Sequence, residues 1–237
     1  MKLAGAITLI TGAGRGIGRT LALSLAREGA EVVLTARTQS ELDRVCNEIV
    51  SEGGKAHALA ADLRKDQDIG RVFDHIRDTF GRLDILVNNA GIGRFAPIKD
   101  LPIEDFDAMW SLNMRALFLC TQRAIPLMVP QRQGAIVNIS SLAGKNAFIG
   151  GGGYSATKWA LLGFAKTLML EVREQNIRVV TICPGSVDTT FSSSTKDTAR
   201  SEKIIHPQDI ADTLVTVLTL PDRTMVSEID IRPTNPK

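Results

Sequence analysis

AITLITGAGRGIGRTLALSLAREGAEVVLTAR, residues 6 to 37, sets an apolar β-branched run, a glycine-rich turn, a helical stretch and a second β-branched run in immediate succession. A strand that feeds a helix through glycines and returns to a second strand is the unit from which parallel sheets are built. Gly12, Gly16 and Gly18 stand where missing side chains allow a tight turn, close backbone approach to a phosphate and close helix packing. The free amides at the start of the following helix would face that phosphate. Taken alone, such a turn is also compatible with an ordinary loop, so its strand-turn-helix setting carries the argument.

The rest of the chain repeats the alternation. AITLIT, EVVLTA, KAHALAA, LDILVN, GAIVNIS, RVVTIC and SEIDIR read as strands, several without polar alternation, as expected for a sheet covered on both faces. Helical stretches begin near Gly16, Gln39, Asp66, Pro102, Tyr154 and Pro207. The expected fold is α/β: a doubly wound, mainly parallel sheet of about seven strands flanked by helices, in one domain over residues 1–237. Ligands should then bind beyond the carboxyl ends of the strands.

Composition narrows the partners. Twenty-eight Lys and Arg against 26 Asp and Glu give a net charge of +2, and the basic residues are dispersed, which argues against nucleic acid or an anionic membrane. No run approaches the roughly 18 apolar residues needed to span a bilayer. The early run LAGAITLI enters the glycine turn with no export flank and reads as a strand. Cys46, Cys120 and Cys183 are odd in number, distant and free of CxxC spacing, so a reducing cytoplasm is expected and a disulfide framework is not. His57, His75 and His206 are isolated, are taken as surface or helix-cap residues, and point to no metal.

The glycine spacing is TGxxxGxG, and with the other motifs the chain resembles the short-chain dehydrogenase/reductase family. The resemblance covers nearly the whole chain: TGAGRGIG at 11–18, the strand-end acid Asp62, NNAG at 88–91, Asn113, the serines at 140–141, YSATK at 154–158 and PGSVDT at 184–189. It implies a Rossmann fold and a nicotinamide cofactor. The glycine loop, with Gly12, Gly14, Arg15, Gly16, Ile17 and Gly18, would hold the cofactor, Asp62 and the Leu63 amide would meet the adenine, and Asn89 would contact it. Pro184, Gly185, Val187 and Thr189 would meet the nicotinamide carboxamide. Asn88 is expected to tie neighbouring strands together.

Tyr154 is the only tyrosine of the chain and follows four glycines, Gly150 to Gly153. A free tyrosine titrates near 10, and a neighbouring cation that stabilises the phenolate would make it a better proton carrier. Lys158, one helical turn on, shares its face and can lie beside the hydroxyl. In the family this lysine also holds the nicotinamide ribose. The family interval to the tyrosine selects Ser141 to bond the substrate carbonyl, leaving Ser140 to satisfy backbone at the strand end. Asn113 would hold a water that links Lys158 to solvent. The implied chemistry is hydride transfer to a ketone or aldehyde carbonyl, or back from a secondary alcohol, with Tyr154 as general acid or base.

EVVLTA ends in Ala36, where selection of NAD would place an acid, and Arg37 follows. Arg15 could approach a 2'-phosphate from the other side, so NADP(H) is the expected cofactor. Substrate identity is not legible. The substrate loop, at about 190–206, is short and polar, and Arg94, Phe95, Phe148 and Ile149 form a mixed opposite wall. A 3-oxoacyl-[acyl-carrier-protein] reductase is the alternative, with Arg132 at one expected basic position but Gln175 at another. An alternative of another class, a catalytically silent NADP-binding regulator, would not need Ser141, Tyr154 and Lys158 together.

Assembly is read from the helix expected from Tyr154 to Glu174. Tyr154, Lys158, Leu161, Ala165 and Leu168 share one face, and Trp159, Gly163 and Leu170 lie opposite. A helix from Pro102 to Pro130, with Met109, Leu112, Leu117 and Leu119, is its expected neighbour across a two-fold axis of a homodimer or homotetramer.

Overall fold

The computed structural model describes residues 1–191 and 203–235. Seven strands form one sheet: β1 (Ile7–Thr11), β2 (Glu31–Ala36), β3 (Lys55–Ala60), β4 (Ile85–Asn88), β5 (Gly134–Ile139), β6 (Ile177–Pro184) and β7 (Glu228–Ile231). Their order across the sheet is β3-β2-β1-β4-β5-β6-β7, and every neighbouring pair is parallel. The chain winds outward from β1 to the β3 edge, then returns to the other side of β1 as β4. The carboxyl ends of β1 and β4 therefore flank the point where the winding reverses, which is where ligands bind in open α/β sheets.

Helices cover both faces, so both sets of alternating strand residues are apolar. One face packs Ile10, Leu34, Val87 and Val137 against α1 (Gly16–Arg27), α2 (Gln39–Ser51) and α7 (Pro207–Thr219). The other packs Leu9, Val33, Leu86 and Ile136 against α3 (Asp66–Phe80), α5 (Leu117–Met128) and α6 (Gly152–Val172). A short helix, α4 (Ile103–Trp110), precedes α5. Asn88 ties the strands at the switch point, donating to Asn138 Oδ1 on β5 at 3.0 Å and to Thr121 Oγ1 on α5 at 3.1 Å.

Three expectations are corrected. The helix read as continuous from Pro102 to Pro130 is α4 and α5 joined by a π-helical segment, Ser111–Ala116. The extra residue per turn rotates Asn113 inward, where it is 1% exposed. Met109 and Leu117, expected on an outward face, are buried in their own chain. His75 is not a surface residue: its Nε2 is buried without a partner and its ring meets Phe80 edge-on. His206 caps α7 together with Asp209, and His57 bonds Glu31 at 2.8 Å.

Among the described residues no helix is long and apolar enough to cross a membrane, and no three His, Cys, Asp or Glu side chains converge as a metal site. The expected substrate loop falls largely on residues 192–202, outside the described residues.

Candidate active site

The glycine turn at the end of β1 is locked from β4. Thr11 Oγ1 donates to Val87 O and accepts from the backbone N–H groups of Asn89 and Ala90. The Asn89 amide donates to the carbonyls of Thr11 and Gly12, at 2.8 and 3.2 Å. Its nitrogen thus shapes the loop that would hold a cofactor. Gly12 has φ +67°, and a Cβ on Gly18 would stand 2.2 Å from the Gly12 carbonyl oxygen. No other residue type fits at Gly18 without moving backbone. Arg15, at the N-cap of α1, places no side chain over the first-turn amides, so these remain open to an anion. Ile17 packs partly into the core.

Charged groups ring this turn. Arg15 is exposed and reaches Thr190 Oγ1 at 3.3 Å. Arg37 is exposed just beyond β2. Asp62 is held by Arg64 in a two-pronged ion pair, and that bond first, with Arg37 contributing, lowers its carboxyl to about 2. Leu63 beside it is buried in the core. Glu41 is the residue sequence reasoning missed. Its Oε2 lies 3.0 Å from where a Cβ on Gly14 would be, so α2 brings to the loop an acid that the end of β2 lacks.

The segment after β6 folds back onto the same turn. The Gly185 N–H bonds Ile231 O, Val187 bridges to Ile205, and the Thr189 methyl lies 3.5 Å from the Cβ position of Gly16. Pro184 ends β6.

Ser141, Tyr154 and Lys158 meet at the carboxyl end of β5. The Ser141 hydroxyl accepts from Ala143 N at 3.1 Å and lies near enough to Tyr154 to draw its hydroxyl's pKa down. Ser140, expected to satisfy backbone through its hydroxyl, instead buries that hydroxyl beside the Cys183 thiol. Tyr154 is 7% exposed, and burial pushes its hydroxyl up to about 12, with Ser141 pulling the other way. Lys158 is buried and donates from Nζ to Ile139 O at 3.0 Å. Burial lowers its ammonium to about 8. The Lys158 ammonium, expected beside the Tyr154 hydroxyl, sits on a strand carbonyl 5.7 Å from the tyrosine ring centroid.

Asn113 does not face solvent. Its amide clamps Ile92, accepting from the N–H and donating to the C=O at 2.9 Å each, and donates to Thr157 Oγ1 at 3.1 Å. Thr157 in turn donates to Tyr154 O at 2.8 Å. The β4 loop, the π-helical segment and the tyrosine are thus linked through one polar path. Thr157 carried no signal of its own within YSATK, because its role depends on Asn113 arriving from 44 residues away. Three of the four glycines before Tyr154 are close-packed: a Cβ on Gly153 would meet Met109 Cε at 2.6 Å, one on Gly152 Ile98 Cγ1 at 2.9 Å, and one on Gly151 the Phe148 ring at 2.4 Å.

Of the wall residues, Phe95 lies by Tyr154 with Phe148 packed on Phe95, Arg94 is paired with Asp105 at 3.3 Å, and Ile149 is 98% exposed. Arg132 stands at the amino end of β5, the sheet edge opposite Tyr154, and donates to Glu174 O.

The chain is similar in sequence and fold to known proteins. Residues 6–200 match the family model described as short chain dehydrogenase. The chain is 37% identical over 236 residues to a sepiapterin reductase of Chlorobaculum tepidum, spanning 97% of this chain and 96% of that one. It superposes with a TM-score of 0.87 and 37% identity on a metagenomic short-chain oxidoreductase in complex with NADP, over 99% of this chain and 100% of that one. A 3-ketoacyl-(acyl-carrier-protein) reductase from Brucella melitensis complexed with NADH gives a TM-score of 0.90 at 29% identity, over 99% and 100%.

The Lys158 ammonium supplies a stability test. Between pH 8 and the ordinary lysine value near 10.4, the unfolded chain keeps a proton the folded chain has lost, so this group's contribution to stability rises with pH. In urea unfolding, the native chain should gain stability relative to Lys158→Met across that window, by up to about 1.4 kcal/mol per pH unit. A difference independent of pH would mean that the buried ammonium titrates normally.

Proposed function

The chain belongs to the short-chain dehydrogenase family, and on that premise we propose that it moves a hydride between NADP(H) and the carbonyl or secondary alcohol of a small molecule, favouring ketone or aldehyde reduction. The observation that carries this reading is the meeting of Ser141, the buried Tyr154 and the buried Lys158 at the carboxyl end of β5, where Lys158 is fixed on Ile139 O. The turn fits a dinucleotide: its glycines leave a cradle that a side chain at Gly18 would fill, and its helix start presents open amides. When bound, the nicotinamide supplies or accepts the hydride.

The protein's own groups do the rest. Ser141 donates to the substrate oxygen and orients it, and Tyr154 Oη delivers the proton to that oxygen as it becomes an alkoxide. In the oxidative direction Tyr154 takes the proton back. Lys158 keeps a positive charge next to this exchange and is close enough to serve the nicotinamide ribose. Asn113 acts through Thr157 and Ile92 to hold the tyrosine's first helical turn. Asp62, Leu63 and Asn89 edge the adenosine side, and Pro184, Gly185, Val187 and Thr189 the nicotinamide side.

Arg15 and Arg37 favour NADP(H), since each is exposed at the rim of the loop and free to meet a 2'-phosphate. Glu41 opposes them, so selectivity is expected to be moderate. The sepiapterin reductase relative adds sepiapterin to the substrates worth assaying. The position of Arg132 at the far edge of the sheet speaks against the acyl-carrier alternative within one chain. Three free thiols suit a reducing cytoplasm.

Tyr154→Phe should lower kcat for ketone reduction by about a hundred- to ten-thousandfold while NADPH affinity is kept. Near-native kcat would overturn the assignment and favour a silent regulator. NADPH should bind more tightly than NADH in fluorescence titration, and Arg37→Ala should narrow the gap by about ten- to a hundredfold. Equal affinities in the native protein would refute NADP selection.

Trp159 and Leu170 on the outer face of α6 are 54% and 60% exposed, and Phe118 on α5 is 45% exposed against Phe164. An apolar patch of this kind suits a two-fold contact, in a dimer or tetramer. Light scattering at micromolar concentration should give a multiple of 25.6 kDa, and the single-chain mass with or without NADPH would rule this out.

A further inference from the structure

Phe95 and Phe191, from two separate loops, meet the ring of Tyr154, and Phe148, from a third, packs on Phe95. Phe95, after β4, meets the Tyr154 ring edge-on at 5.5 Å and 76°. Phe191, after β6, lies 5.9 Å from Tyr154 at 55°. Phe148, just before α6, lies 5.8 Å from Phe95 at 56°. All three remain 45–47% exposed, so each keeps ring surface open toward the site mouth. The grouping is built into the chain. A Cβ on Gly93 would stand 2.6 Å from Phe95 Cζ and 3.0 Å from Phe191 Cε1, and Gly151 is what admits the Phe148 ring.

The charges nearby are committed elsewhere. Arg94 is paired with Asp105, Lys145 with Glu228 and Asp230, and Lys158 with a strand carbonyl. Among the described residues these cations are held by protein partners and leave none facing the rings to meet a carboxylate or phosphate. A flat ring gains from these edge and face contacts beyond what its buried area supplies.

We infer that Phe95, Phe148 and Phe191 form an aromatic slot that selects a substrate with an aromatic ring close to the reacting carbonyl. The inference rests on the reading of Ser141 and Tyr154 as the carbonyl-handling pair and names the substrate class for that site. The saturated analogue of such a substrate, equal in carbon count and carbonyl reactivity, should be handled less well.

The test compares 4-phenyl-2-butanone with 4-cyclohexyl-2-butanone, whose carbonyls are both unconjugated. The native protein should show kcat/KM about fivefold or more higher for the phenyl ketone, and the Phe95→Leu/Phe148→Leu variant should bring the ratio toward one with NADPH affinity unchanged. Calorimetric titration of both ketones into protein saturated with NADP+, where reduction cannot occur, should reproduce the preference without turnover. Equal kcat/KM or equal binding in the native protein, or a ratio unaltered in the variant, overturns the slot. Turnover surviving in Tyr154→Phe would instead overturn the proton-transfer reading, and leaves the ratio measurable.

Discussion

A buried ammonium bonded to the last carbonyl of β5 holds the site together. Lys158 has left water entirely, and an ammonium so placed is tolerable only where a fixed acceptor meets it. That acceptor, Ile139 O, ends the strand that leads to Ser141. One contact thus sets the register of α6 against β5, and with it the distance between the two hydroxyls. Gly144 completes the fit, since a Cβ there would stand 2.9 Å from Lys158 O. The depressed ammonium and the raised tyrosine are both consequences of the same desolvation.

Missing side chains elsewhere serve close packing. Gly18 lets α1 approach the glycine turn, Gly153 lets α6 rest on Met109, and Gly93 lets two rings meet over the tyrosine. The run Gly150–Gly153 looks pliable as a string of letters. In the fold Gly151, Gly152 and Gly153 are hemmed in by Met109, Leu101, Ile98 and Phe148, which restrains the turn that leads into Tyr154. Asn113 reinforces that turn from a π-helical segment, a geometry that costs helical regularity and redirects one side chain.

The cofactor side is balanced more finely. Arg15, Arg37 and Arg64 bring positive charge to the rim, Asp62 is neutralised by Arg64, and Glu41 leans in over Gly14. A dinucleotide would meet donors and an acceptor within one short arc.

Much was legible in the sequence because it depends on neighbours along the chain. Strand and helix periodicity, the glycine turn at residues 12–18, and the placing of Tyr154 and Lys158 on one helix face are local properties, and the parallel sheet follows from their alternation. What only the tertiary structure decided involves residues distant in sequence. The inward turn of Asn113, the burial of Met109 and Leu117, the approach of Glu41 to Gly14 and the meeting of Phe95, Phe148 and Phe191 all require elements to pack first. The pKa of Tyr154 belongs with them: spacing puts a lysine on its face, but where the ammonium sits and how far the hydroxyl leaves water are set by the surrounding fold.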